Sequence, residues 1–254
     1  MVVPDFRISV DEKFPALDHA PIVEAVIAFN APPSIPFDQQ RLREDLVKGF
    51  VGCEINEQMQ HETGIRSDSD GKVEMLHRFQ WDGYSVTSGD TKYICQWKRN
   101  GLAVSRLQPY ESWERLLDVV MAFWGLYRDL GKPEIVESIG VRFISQIPLK
   151  SDEPPSKFIP HAISPLKNLG LLSESFIHQD TIPLKGYPYE LRLIRAMQPA
   201  AEKSGSKRML IVDIDVSTIV AVSFDEIGMK LDELRYIKNK VFFSVMKDAG
   251  KRFK

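Results

Sequence analysis

Thr91-Lys92-Tyr93-Ile94-Cys95-Gln96-Trp97-Lys98-Arg99-Asn100-Gly101-Leu102-Ala103-Val104-Ser105-Arg106-Leu107 holds two β-type runs around an Asn-Gly pair. In the first run Tyr93, Cys95 and Trp97 alternate with Lys92, Gln96 and Lys98. Successive side chains on a strand point to opposite faces, so this alternation describes a sheet covered on one side only. Asn100-Gly101 predicts a type I′ hairpin, whose two central residues both take positive φ. The stretch therefore predicts antiparallel pairing.

Working outward, residues 57–66 and 73–81 read as two further strands. Met75, His77, Phe79 and Trp81 extend the apolar face, Arg78 and Gln80 the polar one, and Asp82-Gly83 is a second turn candidate. Downstream, Trp113, Leu116, Leu117, Val120, Trp124 and Tyr127 fall on one face of a helix, with Gly131 as its C-terminal stop and Pro133 beyond. Upstream, Ile22–Phe29 is a β-branched run ended by Ala31-Pro32-Pro33. A helix follows it, with Leu42, Leu46 and Phe50 at four-residue steps. Residues 1–19 form an irregular arm, and 20–132 a first unit.

Residues 133–254 repeat this order. Glu134–Ile147 is a strand, and 151–172, with four prolines, predicts a short helix around Phe158–Leu172. Strands follow near 174–184, 188–197 and 208–217, with a polar loop at Gln198–Lys207. Ser223-Phe224-Asp225-Glu226 is a capping box opening a last helix, whose stripe is Ile227, Leu231, Leu234, Ile237, Val241, Val245 and Ala249. The expected architecture is α+β: one compact unit with a curved antiparallel sheet from two pseudo-repeats, each a strand, a helix, three or four strands and a long helix, with the long helices on its convex face. By analogy it is similar to the TATA-box-binding-protein-like and helix-grip folds, and such analogy carries no function.

At 254 residues, 43% hydrophobic and 27% charged, the composition is that of a folded globular chain. A net charge of −2 gives no global pull towards nucleic acid or an anionic membrane. Cys53 and Cys95 match no metal or redox spacing and read as packed free thiols. No leader pattern opens the chain and no run approaches the ~18 apolar residues of a membrane span, so the cytoplasm is the expected address and no membrane partner is expected.

Several motifs are similar to those of a sporadically distributed bacterial family of uncharacterised proteins of about this length. They are Ala20-Pro21-Ile22-Val23-Glu24-Ala25-Val26, Pro109-Tyr110-Glu111-Ser112-Trp113-Glu114, Gly140-Val141-Arg142-Phe143-Ile144 and Val212-Asp213-Ile214-Asp215-Val216. The final helix, with Asn239 and Phe242-Phe243, resembles the family too. The chain departs from the family pattern at Ser145-Gln146, where Asn-Arg is usual, and at Tyr236, near a usual His. The resemblance implies no activity; its patchy distribution implies a mobile-element or phage-defence setting.

No phosphate-cradling glycine loop, Gly-x-Ser-x-Gly turn or His-Glu-x-x-His helix is present, and the five histidines are scattered. No catalytic residue, cofactor or metal is assigned. The informative residues are charges inside apolar strands: Glu24, Arg142, Arg192, Arg195, Asp213 and Asp215. Gathered on one open face, Glu24, Arg142, Arg192, Asp213 and Asp215 form a groove for a ligand or partner; dispersed, they are a solvated charge lattice. Arg78, Lys92, Lys98 and Arg106, with Arg142 and Arg192, give that face a basic character suited to nucleic acid, and residues 235–254 add seven Lys or Arg against one acid. Phe242, Phe243, Met246 and Phe253 lie around more than one side of the last helix, which reads first as core packing on two sides, with a contact to a second copy or a partner as the alternative. The leading expectation is a non-enzymatic binding or interaction component, accessory to a bacterial defence or toxin–antitoxin-like module. Nucleic-acid binding and an enzyme acting on a nucleotide or phosphorylated small molecule are the alternatives.

Overall fold

Among the described residues nine strands join into a single open antiparallel sheet, whose central strands present one apolar face to the helices. The computed structural model describes residues 6–67, 73–150, 153–159, 169, 173–199 and 208–254, with side chains for all of these except 61–67 and 73–79. Chain order is β1 (Ile22–Asn30), α1 (Gln39–Gly49), β2 (Glu54–Ser67), β3 (Val73–Thr87), β4 (Tyr93–Lys98), β5 (Gly101–Leu107), α2 (Trp113–Gly131) and β6 (Ser138–Leu149). A 3₁₀ turn at Pro155–Lys157, β7 (Phe176–Pro183), β8 (Tyr189–Pro199), β9 (Arg208–Thr218), α3 (Ile227–Val245) and α4 (Ala249–Arg252) complete it. The spatial order is β2-β3-β4-β5-β1-β6-β9-β8-β7, so β1 and β6 form the middle pair. Among the described residues no helix is long and apolar enough to cross a membrane.

Alternation fixes which face is covered. Ala25, Ile27 and Phe29 of β1 and Ile139, Val141 and Phe143 of β6 are buried, as are Leu102, Val104, Cys95 and Trp97 on the strands beside them. The helices lie on that side: Trp124 of α2 stacks on Phe29 at 4.6 Å, and Phe123 stacks on Phe50, just after α1, at 3.8 Å. The α2 residue Tyr127 donates its hydroxyl to the Ala31 carbonyl. Both α1 and α2 are capped from their own sequence, Asp38 accepting from the Arg41 amide and Ser112 from the Arg115 amide. Cys53 and Cys95 are free thiols.

Four local expectations change. The tight turn is Arg99-Asn100, one residue earlier than expected, closed by the Lys98–Gly101 pair, and neither Asn100 nor Gly101 has positive φ. Gly101 is needed instead because a Cβ there would sit 2.1 Å from the Phe29 carbonyl oxygen across the sheet. Asp82-Gly83 is a bulge inside one long β3 rather than a turn: Met59 pairs with Trp81 and Gln58 with Gly83, leaving Asp82 as the extra residue. Gly131 ends α2 for room, since a Cβ would lie 2.8 Å from Phe37, while Lys132 takes the left-handed cap at φ 45°. Ahead of α3 the Glu226 carboxylate accepts the Ser223 amide, but the Ser223 hydroxyl also donates to that carboxylate, so only half of the capping box forms. The helix expected around Phe158–Leu172 falls mostly outside the described residues.

The second apolar side of the last helix packs against the chain's own N-terminal arm. Phe14 stacks on Phe243 at 5.4 Å and tilts against Tyr236 at 5.9 Å. The His19 amide donates to the Phe253 carbonyl at 2.9 Å. Glu12 fastens the arm, accepting from Lys240 Nζ at 2.6 Å and from the Tyr236 hydroxyl at 3.0 Å.

Two predictions follow from this packing. Gly101→Ala should lower unfolding stability by about 2 kcal/mol or more through the carbonyl clash, whereas Gly125→Ala, in open space on α2, should raise it by about 0.5–1 kcal/mol; urea midpoints check both. The Lys240 hydrogen bond, and then that of Tyr236, hold Glu12 below its ordinary value of 4.5. A depressed carboxylate contributes stability above its ordinary titration range and loses it as pH falls through the folded value. NMR titration of the Glu12 carboxyl should give a midpoint below the ordinary glutamate range, moved up by Lys240→Met.

Candidate functional site: the uncovered sheet face

Residues on the helix-free side belong to the opposite parity. Pairing aligns Val26, Arg142, Asp215 and Arg192 across β1, β6, β9 and β8, and the next rung aligns Glu24, Ile144, Asp213 and Ile194. Glu24, Arg142, Arg192, Asp213 and Asp215, five of the six strand charges singled out from the sequence, thus share two adjacent rungs. Arg142 spends Nε and Nη2 on the two oxygens of Asp213, at 2.9 and 2.6 Å, a bidentate pair along the diagonal between rungs. Arg192 Nη2 meets Asp215 at 2.7 Å. Glu24 has no ion-pair partner among the described residues, but its charge, like that of Asp215, favours the Arg142 cation. The Asp213 hydrogen bonds are the main cause of the upward shift of the Arg142 guanidinium.

Exposure separates the two pairs. The side chain of Asp213 is 8% exposed beneath an Arg142 that is 39% exposed, whereas Arg192 and Asp215 are 45% and 25% exposed. Val26, Ile144 and Ile194 lie half-buried between them. The surface is therefore mixed: apolar ridges carrying two ion pairs and the Glu24 carboxylate.

The other candidates fall in different places. Lys92 and Lys98 share the parity of the open face, but β4 stands three strands from β6, roughly 14 Å at ordinary strand spacing. Lys98 lines a shallow polar depression of about 850 Å³ with Gln58, Gln60 and Gln96. Arg106 is a correction. It has the parity of Leu102 and Val104, is 1% exposed on the helix-covered side, donates to Glu111 at 2.7 Å and to the Pro109 carbonyl at 2.9 Å, and lies 4.6 Å from the Tyr93 ring centroid. It is a buried packing cation and cannot touch a nucleic acid on the open face. Arg195 also lies on the far side from Arg192, three positions along the strand, and bonds Asp180 at 2.6 Å and His178 at 2.9 Å. The side chain of Arg78 lies outside the described residues.

The basic run of the last helix is largely engaged. Arg235 meets Glu114 at 3.0 Å, Lys240 meets Glu12, and Arg252 donates to the carbonyls of Lys247 and Lys157. Lys238, unremarked in the sequence beyond its charge, points inward. Its signal was legible: position 238 lies four residues after Leu234 and seven after Leu231, where the apolar stripe calls for a hydrophobe. Among the described residues no group of His, Cys, Asp and Glu is arranged to hold a metal ion, and Asp213 and Asp215 are each taken by an arginine.

Comparison with protein-family models and with curated proteins gives no match.

Removing a carboxylate from beneath a partly buried guanidinium leaves that cation uncompensated. Asp213→Ala should therefore cost about 1–3 kcal/mol, and Arg192→Ala under about 1 kcal/mol because its pair is exposed. Chemical denaturation of both variants reads the difference, and equal costs would contradict this ranking.

Proposed function

We propose that the chain is a non-catalytic binding component whose working surface is the uncovered sheet face centred on Glu24, Arg142, Arg192, Asp213 and Asp215. The observation that carries this reading is that no described helix covers that face, although Val26, Ile144 and Ile194 lie among its charges. Fixed charges between apolar ridges suit a protein partner, because they set register and orientation more than raw affinity. The strand order on the two sides of the β1–β6 pair, β5-β4-β3-β2 and β9-β8-β7, supports two pseudo-repeats curving around one shared groove, as in the TATA-box-binding-protein-like and helix-grip folds. The family resemblance supports a bacterial, cytoplasmic setting as an accessory of a defence or toxin–antitoxin-like module.

The alternatives draw less support. The centre of the face carries two cations against three carboxylates, a poor match for a polyanion. The nucleic-acid reading keeps Lys92 and Lys98 but loses Arg106 and much of the last helix. A nucleotide-directed enzyme would need a guanidinium fork free for phosphate, and the Arg142 fork is committed to Asp213.

The test is affinity capture of the tagged chain from its native host. Arg192→Glu combined with Ile194→Lys should leave the melting temperature nearly unchanged and reduce recovery of the partner at least about tenfold. Equal recovery, or a monodisperse monomer that captures nothing, defeats the proposal. Binding to RNA or DNA that collapses with added salt would favour the nucleic-acid reading instead.

A further inference from the structure

On the opposite side of the sheet, a cleft of about 910 Å³ opens between the N-terminal arm, α3 and the Tyr110–Glu114 segment entering α2. Its floor comes from the sheet, with Phe143, Ser145 and Ile214; Phe14 and Phe242 add apolar walls. The Lys238 amine reaches its sheet floor. Lys238 Nζ lies 3.8 Å from the Phe143 ring centroid and donates to Asn239 Oδ1 at 2.6 Å.

The surroundings of that amine are unusual for a lysine. The charged groups lining the cleft are Asp232 and Arg235 on α3, Glu111 and Glu114 from the segment into α2, and Asp11, Glu12, Lys13 and Asp18 on the arm. The sheet contributes only neutral groups. Glu114 is held by Arg235 and Glu12 by Lys240. Among the described residues, no carboxylate pairs with Lys238. Burial pushes its pKa down to about 7, with the nearby Arg235 charge adding to the effect. A lysine with a substantial neutral fraction near pH 7 is a nucleophile without need of a separate base.

We propose that this cleft is a site for a small aldehyde or ketone with an apolar body, which Lys238 captures as an imine. The Nζ lone pair forms a bond to the carbonyl carbon, giving a carbinolamine. The carbon–oxygen bond then breaks, the oxygen leaves as water carrying the proton lost by nitrogen and one from solvent, and the protonated C=N that remains returns a proton to solvent to give the imine; no oxidant or reductant is involved. Apolar walls would hold the body of the ligand, while Ser145 and Asn239 supply neutral polar contacts near the reacting atoms.

The experiment treats the full chain with benzaldehyde and sodium cyanoborohydride, which fixes any imine as a secondary amine, and maps labelled lysines by peptide mass spectrometry. At pH 7 Lys238 should be labelled at least about tenfold faster than exposed lysines such as Lys185, given its larger neutral fraction. Its rate should saturate with benzaldehyde and rise with pH through a midpoint near 7. Lys238→Met should abolish the saturable component while leaving labelling elsewhere unchanged. Labelling of Lys238 no faster than that of exposed lysines overturns the proposal. So does selective labelling linear in benzaldehyde, which would mean a reactive amine without a binding site.

Discussion

The pairing of β1 with β6 is the constraint on which the rest of the molecule depends. It joins the β5-β4-β3-β2 and β9-β8-β7 sides of the sheet and puts Ala25, Ile27 and Phe29 beside Phe143, Val141 and Ile139 under the helices. The same register sends Glu24 and Arg142 to the other side. Because strand side chains alternate, a slip of one residue would bury the charges and expose the core, so the hydrophobic requirement itself fixes the polar surface. The ion pairs are a consequence of the register. They do not create it.

Much of this was legible in the sequence because periodicity is a local signal. Tyr93-x-Cys95-x-Trp97 announced a half-covered sheet, and Trp113 to Tyr127 announced the helix that covers it. The bulge at Asp82 was hidden because Asp-Gly is also a turn signal, and only the partner strand decides between them. Gly101 and Gly131 illustrate the same limit: each is required by atoms distant in sequence, the Phe29 carbonyl in one case and Phe37 in the other. Local chemistry suggested φ, while tertiary crowding was the cause.

The site was legible to the same extent. Register follows from alternation, so the convergence of Arg142, Arg192, Asp213 and Asp215 could be anticipated once the strands were in hand. Arg106 was misplaced although its parity with Leu102 and Val104 was visible, because a fully buried arginine is rare unless its charge is met, and Glu111 and the Pro109 carbonyl meet it only through the loop that follows. Lys238 is hidden for a related reason: its charge groups it with its basic neighbours, while its position in the apolar stripe sets it apart.

The arm's attachment has one further consequence, for the order in which the molecule assembles. Glu12 and Tyr236 are 224 residues apart in sequence, and Ile8 reaches the Tyr187 hydroxyl across 179. Contacts spanning most of a chain carry a large closure entropy and form late, after nearer contacts have shortened the effective loop. The arm is thus among the last segments to find its place, and the outer flank of α3 stays bare until it does. For a nascent chain, that interval is when the flank of the last helix is open to chaperones or to a second copy.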